Sequence, residues 1–228
     1  MQTRIVLVEP KYEGNIGSVA RVMKNFGFTD LFLVNPPELG NDARIWASHA
    51  SDVISCCKIF KSLDDALKGS NIVVGTTSKT GKEAVRTPII SPKELREKIE
   101  GKEGIVSILF GREDVGLYNR ELARCDIVVR IPTSHEYPVM NVSHAVTIIL
   151  YELRDVESKN LKIAGRNDID LLLDHYRRLF DEISYPTHKK EKTLTMLRRI
   201  FGRAGLTEKE VRTLRGILRK TEWRINKK

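Results

Sequence analysis

Five strand-length runs of continuous apolar residues, at 5–8, 31–34, 72–76, 106–110 and 127–131, constrain the fold of this chain most. A strand with one wet face alternates apolar and polar residues. Unbroken runs instead suit strands buried on both faces, as in a parallel sheet covered by helices on each side. Helix-patterned stretches fall between the runs. Ser91-Pro92-Lys93-Glu94 combines a capping box with proline at the first helical position, and Ser62 with Asp65 forms a weaker version. The alternation predicts an α/β domain with a mostly parallel sheet. A helix rich in Ala, Val, Ile and Leu follows over 142–157, then a linker over 158–167. Beyond it the pattern is wholly helical, at about 168–183, 190–202 and 208–225, and Thr207 with Glu210 caps the last helix. The expected organisation is an α/β domain over 1–157 and a small all-helical domain over 168–228, which a chain of 228 residues can accommodate.

Charge divides along the same boundary. The formal net charge is +9, yet residues 1–157 carry a net of −1 and residues 158–188 are balanced. The last forty residues hold 14 basic and 4 acidic side chains. Such asymmetry points to a polyanion, nucleic acid foremost, rather than to general solvation. On the final helix Val211, Leu214, Leu218 and Ile225 share one face, while Arg212, Arg215 and Arg219 share another. Those three arginines are either a solvated flank or an RNA-binding row aimed at phosphates. The sequence shows no stretch approaching the length of a membrane helix and no signal peptide, so the expected location is cytoplasmic, without membrane contact. Cys56, Cys57 and Cys125 form no C-x-x-C pair and are expected to be buried free thiols.

Several chemistries are excluded by what the loops lack. No G-x-G-x-x-G follows the first strand. Gly111 and Gly116 have the spacing of a phosphate loop, but Leu117-Tyr118 replaces the lysine and hydroxyl that phosphate and Mg²⁺ require. The five histidines show no metal-ligand spacing, so no metal is expected, and no serine lies in a nucleophile elbow.

Four other segments each follow an expected strand, where open α/β sheets gather ligand sites. They are 9–21, the hydroxyl-rich turn 75–78, the loop 110–117, and 131–143 leading into a helix of small residues. In the first, Asn15 is placed to cap the following helix, and Gly17 and Ala20 permit close approach. Arg21 lies one and a half turns in, either as a surface cation or as a working group.

Together the segments resemble the SPOUT methyltransferases, specifically the TrmH-like branch and its TrmJ-type tRNA enzymes. Asn15-Ile16-Gly17-Ser18-Val19-Ala20-Arg21 matches the family's first motif, N-x-G-x-x-x-R. The strand 105–110 with Gly111-Arg112-Glu113 and Gly116-Leu117 matches its second, and Ile131-Pro132 running to Met140-Asn141-Val142-Ser143 its third. The resemblance implies a SPOUT domain with a deep C-terminal trefoil knot, an exception to the rule against threaded loops. It also implies a homodimer through the knotted domain, with composite active sites, and S-adenosyl-L-methionine as methyl donor. Carried over by position, the donor contacts are Thr76, Thr77, Ser78, Gly111, Ile131, Pro138, Val139 and Met140. Pro138-Val139 stands where some bacterial relatives carry two serines, so contacts there are main-chain and apolar. Arg21 would be the catalytic arginine, with Asn15 and Asn141 positioning it and the ribose. Glu113 is either a backbone cap or a participant. The implied reaction is 2′-O-methylation of transfer RNA, at nucleotide 32 of the anticodon loop, on cytidine or uridine. Ribosomal RNA methylation by the same class, and a non-catalytic RNA-binding role on this fold, are the competing readings.

Overall fold

The computed structural model describes residues 1–79, 88–157 and 161–227. Seven parallel strands form the main sheet: β1 (Gln2–Val8), β2 (Asp30–Val34), β3 (Lys58–Phe60), β4 (Ile72–Thr76), β5 (Ile89–Ile90), β7 (Ile105–Phe110) and β8 (Ile127–Val129). Their spatial order is β3-β2-β1-β7-β4-β8-β5. All five runs read from the sequence are strands in it. The edge strands β3 and β5 were not foreseen, because they are two or three residues long and β3 is largely exposed, so neither makes a continuous apolar run. A second pair joins β6 (Lys102–Glu103) to β9 (Leu161–Lys162).

Both faces of the sheet are buried. Ile5, Leu7, Ile108 and Val74 pack with α1 (Glu13–Asn25), α5 (Pro92–Ile99) and α7 (Val142–Leu153), beside α2 (Asn41–Ala47) and α3 (Ser51–Ser55). Val6, Val8, Leu109 and Val128 point the other way, onto α4 (Leu63–Ala66) and α6 (Asn119–Leu122). The period-two split of β1 into two cores is the physical reason its run is unbroken. Ser91 and Glu94 form the expected capping box on α5.

Helix α1 approaches α2 very closely. A Cβ on Gly17 would lie 2.2 Å from the Ala43 carbonyl oxygen, so the glycine of the first motif admits a neighbouring helix rather than a ligand. The Glu13 carboxylate accepts the Gly40 N–H (2.7 Å) and the Ala43 N–H (3.3 Å), capping α2 from α1.

The C-terminal helices are α8 (Arg166–Glu182), α9 (Thr187–Ala204) and α10 (Glu208–Ile225), with a core of their own that includes Leu172, Phe201, Val211 and Leu218. They are docked on the sheet domain. Arg199, only 1% exposed, donates to the Leu122 carbonyl (2.8 Å), and Arg198 pairs with Asp126 at 3.5 Å and with Asp170. A Cβ on Gly202 would stand 2.4 Å from the Asp126 Cβ. Of the segment read as a linker, 158–160 lie outside the described residues, while Ile163 and Ala164 are buried. The Ala164 N–H donates to Leu206 O (2.7 Å), and the Asn71 amide donates to Ile163 O (3.1 Å).

Burial sets the charge states at this junction. It pushes the Asp126 carboxyl up, against the pull of Arg198 and Arg166. Burial lowers Arg199, whereas Asp126 and Asp170 more than offset it at Arg198. All three cysteines are free thiols, but only Cys125 is fully buried; Cys57 is half-buried and Cys56 exposed. Burial pushes the Cys125 thiol up to about 12, so it is unreactive. No helix among the described residues is long and apolar enough to cross a membrane.

Candidate active site

The loops that leave β4, β7 and β8 enclose a cavity of about 150 Å³ at the carboxyl edge of the sheet. All eight positions named as donor contacts line it. Thr76, Thr77 and Ser78 come from the first loop, Gly111 from the second, and Ile131, Pro138, Val139 and Met140 from the third. Val142 and Ala145 of α7 complete the apolar wall. Sequence reasoning missed those two, although their i, i+3 spacing at the start of a small-residue helix is a signal that could have found them.

Much of the polar capacity here holds the loops together. The Thr76 hydroxyl donates to Leu109 O (2.8 Å), the Thr77 N–H to Val129 O (3.0 Å), and the Thr133 hydroxyl to Pro138 O (3.1 Å). A Cβ on Gly111 would lie 2.1 Å from the Gly116 carbonyl carbon, so this glycine is required by its own loop, whatever the cavity holds. Gly116 has φ +71, a left-handed conformation suited to glycine.

Beneath the second loop lies an ion cluster built on a buried Arg112–Glu121 pair, with Glu9 at its more exposed edge. Arg112, whose side chain is 4% exposed, donates through Nε to Glu9 (2.9 Å) and forks onto Glu121 at 3.1 and 3.0 Å. Its guanidinium also sits 4.1 Å from the Tyr118 ring centroid. Burial would lower its pKa, but Glu121 and Glu9 override that and hold it above the ordinary arginine value. A bidentate, desolvated pair of this kind fixes loop geometry more than it adds stability.

Glu113 fastens this loop to α1. Its carboxylate accepts the N–H groups of Lys11 (2.9 Å) and Tyr12 (3.4 Å) and the Asn15 amide (2.9 Å). It therefore caps a remote helix N-terminus rather than its own loop. Asn15 is not the cap of α1: the helix begins at Glu13, with Tyr12 as its N-cap. Its amide oxygen instead accepts the Asn141 amide at 3.0 Å. The Asn141 oxygen in turn takes the Ser143 N–H and hydroxyl, both at 2.8 Å, which caps α7. The relay Glu113–Asn15–Asn141–Ser143 thus joins all three motifs.

Arg21 stands apart. It is exposed on α1, does not line the cavity, and makes no hydrogen bond or ion pair among the described residues. In the helical domain Arg212 and Arg219 are exposed on α10, whereas Arg215 is half-buried with its Nε unpartnered. Arg198 and Arg199 belong to the basic tail by sequence, but they are spent on internal docking. The charge excess therefore overstated the surface available to a polyanion. No group of three His, Cys, Asp or Glu side chains among the described residues could hold a metal.

The parallel sheet and its three-loop cavity are those of a SPOUT-class methyltransferase, as the matches to known proteins show. Residues 2–151 match the SpoU rRNA Methylase family, and residues 167–228 match the tRNA methyltransferase TrmJ, C-terminal domain. The chain is 40% identical to the tRNA (cytidine-2′-O-)-methyltransferase TrmJ of Methanocaldococcus jannaschii, over 92% of this chain and 95% of that one. It is 38% identical to the tRNA (cytidine/uridine-2′-O-)-methyltransferase TrmJ of Pectobacterium atrosepticum, over 94% of each. The crystal structure of TrmJ from Z. mobilis superposes with a TM-score of 0.80 at 28% identity, covering 97% of this chain and 100% of that chain. The chain belongs to the SpoU methylase family, in its TrmJ-type branch, and is a methyltransferase.

Proposed function

We propose that this methyltransferase acts on the ribose 2′-hydroxyl of nucleotide 32 in transfer RNA, with S-adenosyl-L-methionine as donor and cytidine or uridine at the target. The observation that carries this reading is the convergence of the three motif loops on one cavity beside the Asn15–Asn141 relay. The lining suits such a donor. Val129, Ile131, Val142 and Ala145 offer an apolar bed for an adenine ring, and loop backbone and hydroxyls edge the rest. The donor supplies an electrophilic methyl group on a sulfonium.

The chain's own residues align the hydroxyl and manage its proton. Displacement at a methyl carbon is in-line, so nucleophile and carbon must be held near attack distance. A guanidinium is a poor proton acceptor, so Arg21 orients the ribose and stabilises the developing alkoxide rather than acting as a base. The proton passes to an RNA phosphate. Because Arg21 does not line the cavity of its own protomer, it serves the cavity of a second copy. This fits a homodimer through a knotted sheet domain and a composite site. Asn15 and Asn141 hold the α1 and α7 termini on which that geometry depends. The helical domain, with Arg212, Arg215 and Arg219, holds the tRNA by its phosphates, in the cytoplasm.

The relay is intact, which favours catalysis over a decayed binding fold. The TrmJ-type C-terminal region favours tRNA over ribosomal RNA. Mapping ribose methylation on bulk RNA, incubated with the donor with and without this protein, tests the reading. New methylation at tRNA nucleotide 32 is expected. Methylation confined to ribosomal RNA, or none, overturns it.

A further inference from the structure

Trp46 is 59% exposed, yet it is held in place. A Cβ on Gly14 would meet its indole at Cδ1 (3.0 Å) and Nε1 (3.1 Å), and a Cβ on Gly17 would meet the Trp46 Cβ at 2.9 Å. Gly14 thus seats the pyrrole side of the indole, and Gly17 admits the Trp46 Cβ. Helix α2 is pinned there by the Glu13 cap, so little conformational freedom is lost when something covers the open side.

The place of this seat on α1 gives it a function. Gly14, Ser18 and Arg21 follow at i, i+4 and i+7 and so share one strip of the helix. From Gly14 to Arg21 the rise is about 10 Å, or about three stacked-base steps. An exposed, seated aromatic side chain beside a helix strip that ends in the exposed Arg21 guanidinium suits single-stranded nucleic acid, which stacks a base on the ring and places a phosphate on the cation.

We propose that Trp46 stacks on an unpaired base of the tRNA segment whose ribose lies at Arg21, an inference that rests on the tRNA reading above. A loop nucleotide exposes its bases as a duplex does not, so this contact selects for single-stranded substrate without choosing a base.

The chain has two tryptophans, so Trp223→Phe leaves Trp46 as the sole reporter. Titration with tRNA should quench its emission saturably. Trp46→Ala should weaken tRNA binding by about 5- to 150-fold, the worth of one base–aromatic stack, with the salt slope unchanged. Trp46→Phe should recover most of that loss. Unchanged Trp46 emission in a chain that binds and methylates tRNA would overturn the proposal and leave the function standing. So would a Trp46→Ala protein that binds as the unaltered chain does, or one whose sedimentation shows loss of an oligomer, since the indole would then cover a second copy. An unaltered chain that does not methylate tRNA at all removes both readings together.

Discussion

Replacing Arg198 with methionine should break the sheet and the helices apart as a folding unit. The Arg198 guanidinium lies between Asp126 and Asp170, and the Arg198 and Asp126 side chains are 10% and 6% exposed. Methionine keeps most of the stem volume and removes the charge. Taking one partner from a buried ion pair costs about 3–5 kcal/mol, a large share of the ~5–15 kcal/mol that holds a domain folded. Asp126 still accepts the Val73 N–H at 2.8 Å, which places the effect nearer the lower figure. The loss should also depend on pH. Burial already raises the Asp126 pKa, and without Arg198 it rises further. A carboxyl whose folded pKa exceeds its unfolded value binds more protons when folded. Its contribution to stability therefore falls as pH rises between the two values. The deficit of Arg198→Met should thus be largest near neutrality and shrink toward the ordinary aspartate pKa of about 3.9. Urea unfolding followed by fluorescence reads both domains, because Trp46 sits on α2 and Trp223 on α10. With Trp46→Phe and Trp223→Phe as single-tryptophan backgrounds, the two midpoints should coincide in the parent and separate in Arg198→Met, with the Trp223 transition earlier. The reasoning fails if the change is below about 1 kcal/mol, the scale of an exposed pair. Two separate transitions already present in the parent would refute it equally.

Arg21→Ala should abolish turnover while calorimetry finds donor binding retained, and Arg21→Lys should fail nearly as badly, since an ammonium lacks the planar fork; near-normal turnover removes Arg21 from the chemistry. Gly111→Val should unfold its own loop rather than merely fill the cavity, so the donor pocket is better probed with the exposed Val139. Val139→Trp should keep the melting temperature and weaken donor binding by about tenfold or more, some 1.4 kcal/mol. Unchanged affinity would place the donor elsewhere. Replacing Arg212, Arg215 and Arg219 together by glutamine should lower the salt slope of tRNA binding by about 2–3, with affinity reduced for all tRNAs alike. A wild-type slope in that variant means α10 does not face RNA.

The sheet was legible because its central strands are buried on both faces and so write unbroken runs into the sequence, whereas β3 and β5 lie at edges that impose no such pattern. The three loops that line the cavity were legible as motifs. Their internal wiring was not, because the choice of Glu113 for the α1 N-terminus, or of Asn15 for Asn141, joins residues about a hundred positions apart. Gly17 was correctly seen as a close-approach site, but nothing local tells that the approaching group is Ala43 of a helix. The tail misled most. Lysines and arginines look alike in a count, and only packing reveals that Arg198 and Arg199 are interior residues while Arg212 and Arg219 face solvent.

The seat of Gly202 against Asp126 bears on how such a protein can diversify. A chimera that joins this sheet domain to a foreign helical domain inherits a buried carboxylate with no counter-charge, unless the donor helix brings an arginine and a glycine four residues apart in the same register. Grafting is therefore permitted only in matched sets. Substitution has free play along the outer side of α10, while α9 is held to its sequence by its contact with Asp126.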